Sequence, residues 1–264
     1  MSSTQTTQVS ALLDGLASGQ VEIVDLTQPL QESTPVIQLP PPFANTPGLS
    51  REEISRYDDR GPAWAWYTLT LGEHVGTHVD APIHWVTGKD GDDIGSVKPD
   101  TLVGPACVIE KTAETEAANG DYLLTVADLE SWEAENGRVP DGAWVLLRSG
   151  WGSRAHDQDE FLNVGENGPR TPGPDVEASR WLANERGIAG FGTETVGIDA
   201  GSAGGMDPPF PLHNLLLGAG KLGLTQLANL DSLPITGALL VVSPLKLVGG
   251  TGSPSRVYAF VPRT

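Results

Sequence analysis

The sequence has one cysteine, few basic residues and no long apolar segment. Cys107 is the only cysteine among 264 residues, so an internal disulfide is excluded and the chain is not a disulfide-stabilised scaffold. The 16 lysines and arginines stand against 34 aspartates and glutamates, which gives a formal net charge of −18. Such a surface repels phosphate backbones and anionic lipid heads, so we expect neither a nucleic acid nor a membrane as a partner.

The apolar residues form only short runs, none near the roughly 20 residues that a membrane-spanning helix needs. Residues 1–8 are polar and lack the basic and apolar regions typical of a secretion signal. We therefore expect a cytoplasmic protein. Glycine (32 residues) and proline (21 residues) are more frequent than usual, which predicts many turns and loops.

The pattern of apolar residues predicts more strands than helices, without regular alternation between them. Strands are predicted over residues 21–26, 64–71, 106–109, 144–147, 188–191, 239–242 and 257–261, and helices over 9–16, 174–186 and 212–217. A further helix should begin after Thr125, where Asp128 completes a capping box, and end before Gly137. The proline-rich residues 34–61 are expected to form a long ordered loop or flap. Since no repeat or linker divides the chain, we expect residues 1–264 to be one mixed α/β domain.

Three of the five histidines lie within the segment HVGTHVDAPIH, residues 74–84. His74, His78, Asp80 and His84 have the same parity, so in an extended chain their side chains point to one face. An aspartate beside imidazoles in a partly buried position has a high desolvation cost, which a divalent cation removes. Two imidazoles and a carboxylate are ligands that zinc, manganese or iron(II) accept, with coordination positions left for water and substrate.

A helical conformation of this segment is unfavourable. A helix would place Asp80 about 240° around its axis from His74, and Gly76 and Pro82 both oppose a helix. The segment is therefore expected to be extended, or bent at Gly76. The alternative to a metal site is that the histidines are ordinary polar residues of a turn and that Asp80 caps backbone amides. The segment contains no cysteine, which excludes a zinc ribbon, and it lacks the helical His-Glu-x-x-His pattern of metalloproteases.

The spacing His74-x-Gly-Thr-His78-x-Asp80-x-Pro-x-His84 resembles the signature of the cyclase superfamily of metal-dependent hydrolases, which includes bacterial kynurenine formamidases and isatin hydrolases. The resemblance extends to nearly the whole chain, through residues 25–30, 147–151, 193–199 and 213–230. It implies a β-rich fold of swivelling β/β/α architecture and a homodimer or larger homo-oligomer. It also implies that His74, His78 and Asp80 are metal ligands and that His84 transfers protons near the metal.

A second site segment runs from His213 to Thr225 and Gln226. Formamidases of the family carry a glutamate near the last two positions, and with the histidine it helps to hold a second zinc ion. This sequence has no acid there and resembles the isatin hydrolases of the family in offering a glutamine, whose amide oxygen can bind one hard ion. The resemblance therefore implies one divalent ion, with Gln226 as the fourth protein ligand and Thr225 as the alternative. The oxygen-rich ligand set favours manganese, with zinc as the second choice. His213 is then expected to contact the substrate or to support a ligand.

Four aromatic residues flank the histidine segment: Phe43, Trp64, Trp66 and Trp85. Each is consistent with core packing, but together they predict the walls of a flat substrate pocket that suits a small aromatic amide. A bound metal makes hydroxide available at neutral pH, and His84 can carry the proton to the leaving nitrogen. We therefore predict hydrolysis of a cyclic amide, and the resemblance favours the opening of isatin to isatinate.

Three other functions stay open. The first is an arylformamidase that hydrolyses N-formylkynurenine, against which stand the missing glutamate and the proline-rich insertion before Trp64. The second, also within the range of the family, is a polyketide cyclase or lactone hydrolase. The third is a non-catalytic metal- or ligand-binding protein.

Overall fold

The computed structural model describes residues 8–166 and 168–263. Within these residues there are five α-helices: α1 (Gln8–Ser18), α2 (Thr112–Ala117), α3 (Val126–Asn136), α4 (Gln158–Leu162) and α5 (Val176–Asn184). The strands of the same residues are β1 (Val21–Asp25), β2 (Ser50–Asp58), β3 (Gly61–Thr70), β4 (His78–Asp80), β5 (Val103–Glu110), β6 (Leu123–Leu124), β7 (Trp144–Arg148), β8 (Val164–Gly165), β9 (Gly168–Pro169), β10 (Gly173–Pro174), β11 (Gly190–Thr193), β12 (Leu222–Thr225), β13 (Ala238–Pro244) and β14 (Gly252–Pro262).

Seven strands form a closed, mixed barrel. Their order is β14, β13, β5, β7, β11, β12 and β4, and β4 pairs with β14 to complete the ring. The pairs β5–β7, β7–β11 and β11–β12 are parallel, and the remaining pairs are antiparallel. Strand β1 lies outside the ring and pairs with the end of β14. The structure confirms the predicted single-domain, β-rich α/β fold with a mixed sheet.

Two apolar clusters form the core, and strand alternation separates them. In β5 and β7, Val108 and Leu146 belong to the cluster that fills the barrel, whereas Ile109 and Leu147 belong to the cluster under the helices. Successive side chains of a strand point to opposite faces, so these two strands are buried on both sides. Side chains of α3, α5 and the segment around Leu212 cover the outer face.

The helix ends follow their sequence signals closely. Thr125 accepts a hydrogen bond from the Asp128 N–H and the Asp128 side chain accepts from the Thr125 N–H, so the predicted capping box is confirmed. Gly137 ends α3 with φ 88°, as expected for a residue that follows a helix. Helix α5 begins at Val176, after the capping residue Asp175, rather than at the predicted residue 174. The predicted helix over 212–217 is a short π-helix, His213–Leu217.

The prediction of a loop over residues 34–61 is wrong for its second half. Strand β2 pairs with β3 as a separate two-stranded sheet, with irregular register after Glu53 and after Arg56. Nearly every residue of β2 is exposed, and Ser55 is its one buried residue. A strand exposed on both faces has no apolar alternation, so the sequence pattern could not indicate it.

Candidate metal centre

The short strand β4 directs two of the predicted ligands to the outer face of the barrel. Val79 belongs to the cluster inside the barrel, so its neighbours His78 and Asp80 point outward. Both are nevertheless buried, because the π-helix and its flanking loops cover this face. Gly76 has φ +63° and turns the chain immediately before the strand, as the expected bend requires.

Two glycines make room for the Asp80 carboxylate and the neighbouring imidazole. Gly223 of β12 and Gly252 of β14 are both paired with Asp80 across the sheet. A Cβ on Gly223 would lie 2.9 Å from Asp80 Oδ2, and one on Gly252 would lie 2.6 Å from His74 Cε1. Any residue with a Cβ at position 223 or 252 would therefore fill the space that these glycines leave on the two sides of Asp80.

The three predicted ligands meet, and their hydrogen bonds indicate which atoms face one another. His74 Nδ1 lies 2.8 Å and His78 Nε2 lies 3.4 Å from Asp80 Oδ1. His78 Nδ1 lies 2.7 Å from the Gly76 carbonyl, which only accepts hydrogen bonds. Nδ1 of His78 therefore carries the hydrogen, and its Nε2 presents a lone pair to Asp80.

This donor set fits a divalent cation. One ligand atom from each of His74, His78 and Asp80 lies within 4.8 Å of the others. Imidazole lone pairs and a carboxylate oxygen repel one another unless a positive charge lies between them. Metal–ligand bonds of about 2.1 Å place neighbouring ligand atoms about 3 Å apart, close to the separations observed.

His84 lies over this cluster and is free to exchange a proton. It ends the short 3-10 helix Pro82–His84, and its ring stacks on His74 with centroids 4.0 Å apart. The other four histidines have polar partners for their rings, whereas the ring nitrogens of His84 make no hydrogen bond within the described residues. Burial lowers the pKa of His84 to about 4, against the opposing charge of Asp80, so the ring is neutral at physiological pH.

His213 lies near the second carboxylate oxygen of Asp80 and is held by an aspartate. Asp199 accepts hydrogen bonds from His213 Nδ1 and from the Leu212 and His213 backbone N–H groups. His213 Nε2 is then left 3.8 Å from Asp80 Oδ2. Burial opposes protonation, but the hydrogen bond and charge of Asp199 raise the pKa of His213 above its ordinary value. Asp199 was not among the predicted site residues, although it lies in a segment that carries the family resemblance.

An aromatic wall adjoins the histidines. The ring of Trp85 lies 4.8 Å from His213 and 5.7 Å from Phe210, centroid to centroid. Phe210 is 40% exposed and has φ 52°, an uncommon conformation for a bulky side chain. The sequence analysis did not identify Phe210. Its surroundings, Met-Asp-Pro-Pro-Phe after a glycine-rich stretch, indicate an irregular loop but not its direction.

Thr225 contacts the candidate ligand His78, whereas the side-chain hydrogen bond of Gln226 goes to Pro35. Thr225 is paired with His78 across the sheet, and its Oγ1 lies 3.0 Å and 3.2 Å from the two ring nitrogens of His78. The Gln226 amide nitrogen donates to the Pro35 carbonyl at 3.4 Å, and its Oε1 is buried without a hydrogen-bond partner. No hydrogen bond among the described residues joins Gln226 to the ligands, so its role as a fourth ligand stays a prediction without a supporting contact.

Three predicted pocket residues have exposed side chains on β3 or in the loop before β2. Trp64 and Trp66 are on β3, where their rings contact each other and are 46% and 53% exposed. Phe43 lies in the loop before β2 and is 64% exposed. In the part of the chain that the structure describes, no ring contact or hydrogen bond connects these side chains to the histidines. Of the four predicted aromatic residues, Trp85 is the one whose ring contacts the histidines in the described residues, and the role of the other three stays a prediction.

The chain belongs to the Cyclase family of proteins. The family model, described as "Putative cyclase", matches residues 24–200, which include the whole histidine segment and Asp199. An isatin hydrolase of Roseibium aggregatum is 48% identical over 258 residues, with 97% of each chain covered. A kynurenine formamidase of Delftia acidovorans is 30% identical, with 71% of this chain and 76% of the relative covered. The crystal structure of an isatin hydrolase bound to the product analogue thioisatinate superposes with a TM-score of 0.94, at 48% identity, covering 99% of this chain and 100% of that one.

Proposed function

We propose that this protein is a metal-dependent hydrolase that opens a cyclic amide, with isatin converted to isatinate as the favoured reaction. One observation carries the proposal: the ligand atoms of His74, His78 and Asp80 converge, and the His84 ring stacks on His74. The similarity to an isatin hydrolase over 97% of the chain supports the choice of substrate.

The proposed cofactor is one divalent ion held by His74, His78 and Asp80. A second ion beside Asp80 Oδ2 would have His213 as a neighbour, but this chain has the neutral residues Thr225 and Gln226 near the positions where the formamidases of the family carry a glutamate. This difference supports one ion over two. Manganese is favoured over zinc because hydroxyl, carboxylate and water oxygens suit manganese well.

The bound ion would supply an activated water at neutral pH and polarise the substrate carbonyl. His84, neutral and without a hydrogen-bond partner in the described chain, accepts the proton released when water attacks the carbonyl carbon. It then returns the proton to the leaving nitrogen as the C–N bond breaks. In a cyclic amide that nitrogen stays attached to the product, so the result is ring opening. His213, held by Asp199, is placed to contact a polar group of the substrate.

Trp85 and Phe210 support an aromatic substrate. Their rings meet edge to face at 5.7 Å beside the ligand cluster and form an apolar wall where a flat ring can stack. An arylformamidase is the second candidate, supported by the 30% identity to a kynurenine formamidase. The neutral residue at position 225 argues against it.

The test uses purified protein stripped with a chelator and reloaded with Mn²⁺ or Zn²⁺. We expect isatin absorbance to decay only after reloading, and His84→Ala to lose activity while retaining the metal. Turnover of N-formylkynurenine but not isatin would establish the second candidate. Turnover of a lactone alone would establish a lactone hydrolase, and metal binding without any turnover would indicate a non-catalytic protein. Elemental analysis of protein purified without added metal gives the ion and its stoichiometry.

Three further properties remain proposals. We propose that residues 1–264 form one catalytic domain, that the protein is a homodimer or larger homo-oligomer, and that it is cytoplasmic. None of the helices in residues 8–166 and 168–263 is long and apolar enough to cross a bilayer. Light scattering after size-exclusion chromatography and cell fractionation test the last two proposals.

A further inference from the structure

The metal-ligand candidate His74 has a second polar partner on the side away from Asp80. Its Nε2 lies 2.9 Å from Oγ1 of Thr251, the residue immediately before β14. Thr251 is in turn bound by Glu73, whose Oε2 accepts from the Thr251 N–H at 2.9 Å and from its hydroxyl at 2.6 Å. The three side chains therefore form a continuous line from Glu73 through Thr251 to His74.

The direction of each hydrogen bond in this line follows from the donors available. A carboxylate only accepts, so the Thr251 hydroxyl hydrogen points to Glu73. The Thr251 oxygen can then only accept from His74, which requires the hydrogen of the His74 ring to be on Nε2. His74 Nδ1 is thereby left with a lone pair, and Nδ1 is the atom that faces Asp80 Oδ1 at 2.8 Å.

We propose that Glu73 and Thr251 are positioning residues that select the His74 tautomer and ring orientation needed for metal binding. The proposal rests on the proposed function only in taking His74 as a metal ligand. Without this line, the Nδ1–H tautomer would donate to Asp80 and turn a hydrogen toward the position of the ion. Partners of this kind commonly change metal affinity about 10- to 100-fold when they are removed.

His78 shows that the two imidazoles are held by different means. Its hydrogen is on Nδ1, fixed by the Gly76 carbonyl two residues away, so its lone pair is on Nε2. His74 instead depends on a residue 177 positions along the chain. The loss of the Thr251 hydroxyl should therefore affect His74 and leave His78 unchanged, which provides an internal reference.

The test compares Thr251→Val and Thr251→Ser with the unmodified protein. Valine keeps the shape and the backbone N–H bond to Glu73 but removes the hydroxyl. We expect Zn²⁺ affinity, measured by competition with a chelating dye, to fall about 10- to 100-fold in Thr251→Val and to be largely restored in Thr251→Ser. In ¹⁵N spectra of the Zn²⁺-loaded protein, the His74 Nε2–H signal should shift and exchange faster in Thr251→Val, whereas His78 signals should not move. Thr68→Val, on the exposed strand β3, is the matched control.

Glu73 provides an independent variant. Glu73→Ala frees the Thr251 hydroxyl to donate to His74 Nε2, so Zn²⁺ affinity should fall, while Glu73→Gln keeps an oxygen acceptor and should restore part of it. If Thr251→Val does not fold, the two Glu73 variants decide the question. Wild-type affinity and an unchanged His74 signal in Thr251→Val or Glu73→Ala would overturn the proposal. Neither readout uses a substrate, so a failure to hydrolyse isatin would contradict the proposed function alone.

Discussion

Gly223→Ala should weaken metal binding by displacing a carboxylate, with little direct effect on the histidines. The added Cβ would lie 2.9 Å from Asp80 Oδ2 and 3.1 Å from two side-chain atoms of Ile198. The first separation is about 0.6 Å shorter than an ordinary contact, so the carboxylate must move by a similar amount. Metal–ligand distances are held within about 0.2 Å, and a displacement three times larger breaks the geometry. We expect Mn²⁺ or Zn²⁺ affinity to fall at least about 10-fold.

The assay is equilibrium dialysis followed by elemental analysis, with thermal unfolding of the metal-free protein measured in parallel. Crowding against Ile198 should cost about 1–3 kcal/mol of stability, which the unfolding measurement separates from the loss of affinity. Gly205→Ala is the matched control, because a Cβ there would have no heavy atom within 4 Å. A folded Gly223→Ala protein that binds one equivalent of metal with unchanged affinity would show that Asp80 is not held as described.

Three further predictions concern the cap of α3, the aromatic wall and the end of α5. Burial opposes ionisation of Asp128, but hydrogen bonds from Lys111 and Thr125 hold its pKa at about 2. The ionised Asp128 carboxylate therefore contributes fully to the free energy of unfolding above about pH 4, and this contribution is lost as the pH falls through about 2. Asp128→Asn should lower the free energy of unfolding by about 1 kcal/mol at pH 7, measured by urea unfolding, and should flatten its pH dependence. Phe210→Ala should raise KM for isatin about 10-fold with a smaller change in kcat. An unchanged KM would show that Phe210 does not contact the substrate. The Lys221 ammonium donates hydrogen bonds to three carbonyls at and just after the end of α5, all within 2.9 Å. Lys221→Met should therefore lower the free energy of unfolding by about 1–3 kcal/mol. An unchanged midpoint in urea unfolding would contradict this prediction.

The convergence of the candidate metal ligands could be predicted from the sequence because their arrangement is local. His78 and Asp80 lie two residues apart on one strand, so alternation alone places them on one face. His74 follows from the same parity together with the bend at Gly76. The barrel strands β5 and β7 could be predicted because strands buried on both faces form continuous apolar runs, whereas β12 was not predicted.

The rest of the site depends on contacts between distant parts of the chain. The contact between Thr225 and His78 depends on the exact register of β12 against β4, because a shift of one residue exchanges the two faces of a strand. The line from Glu73 to Thr251 spans 178 residues and has no local pattern. Phe210 lies in an irregular loop and has a positive φ, and a pattern of apolar residues cannot predict such a conformation.

Strand β4 has only three residues, yet it joins β12 to β14 and so completes the circle of the barrel. Two of those three residues, His78 and Asp80, are candidate metal ligands. Cation binding should consequently stabilise the pairing of β4 with β12 and β14, so that the two equilibria are linked. Amide hydrogen exchange along β4 and its two neighbours should slow as metal concentration rises, while exchange in β5 and β7, on the opposite side of the circle, should respond far less.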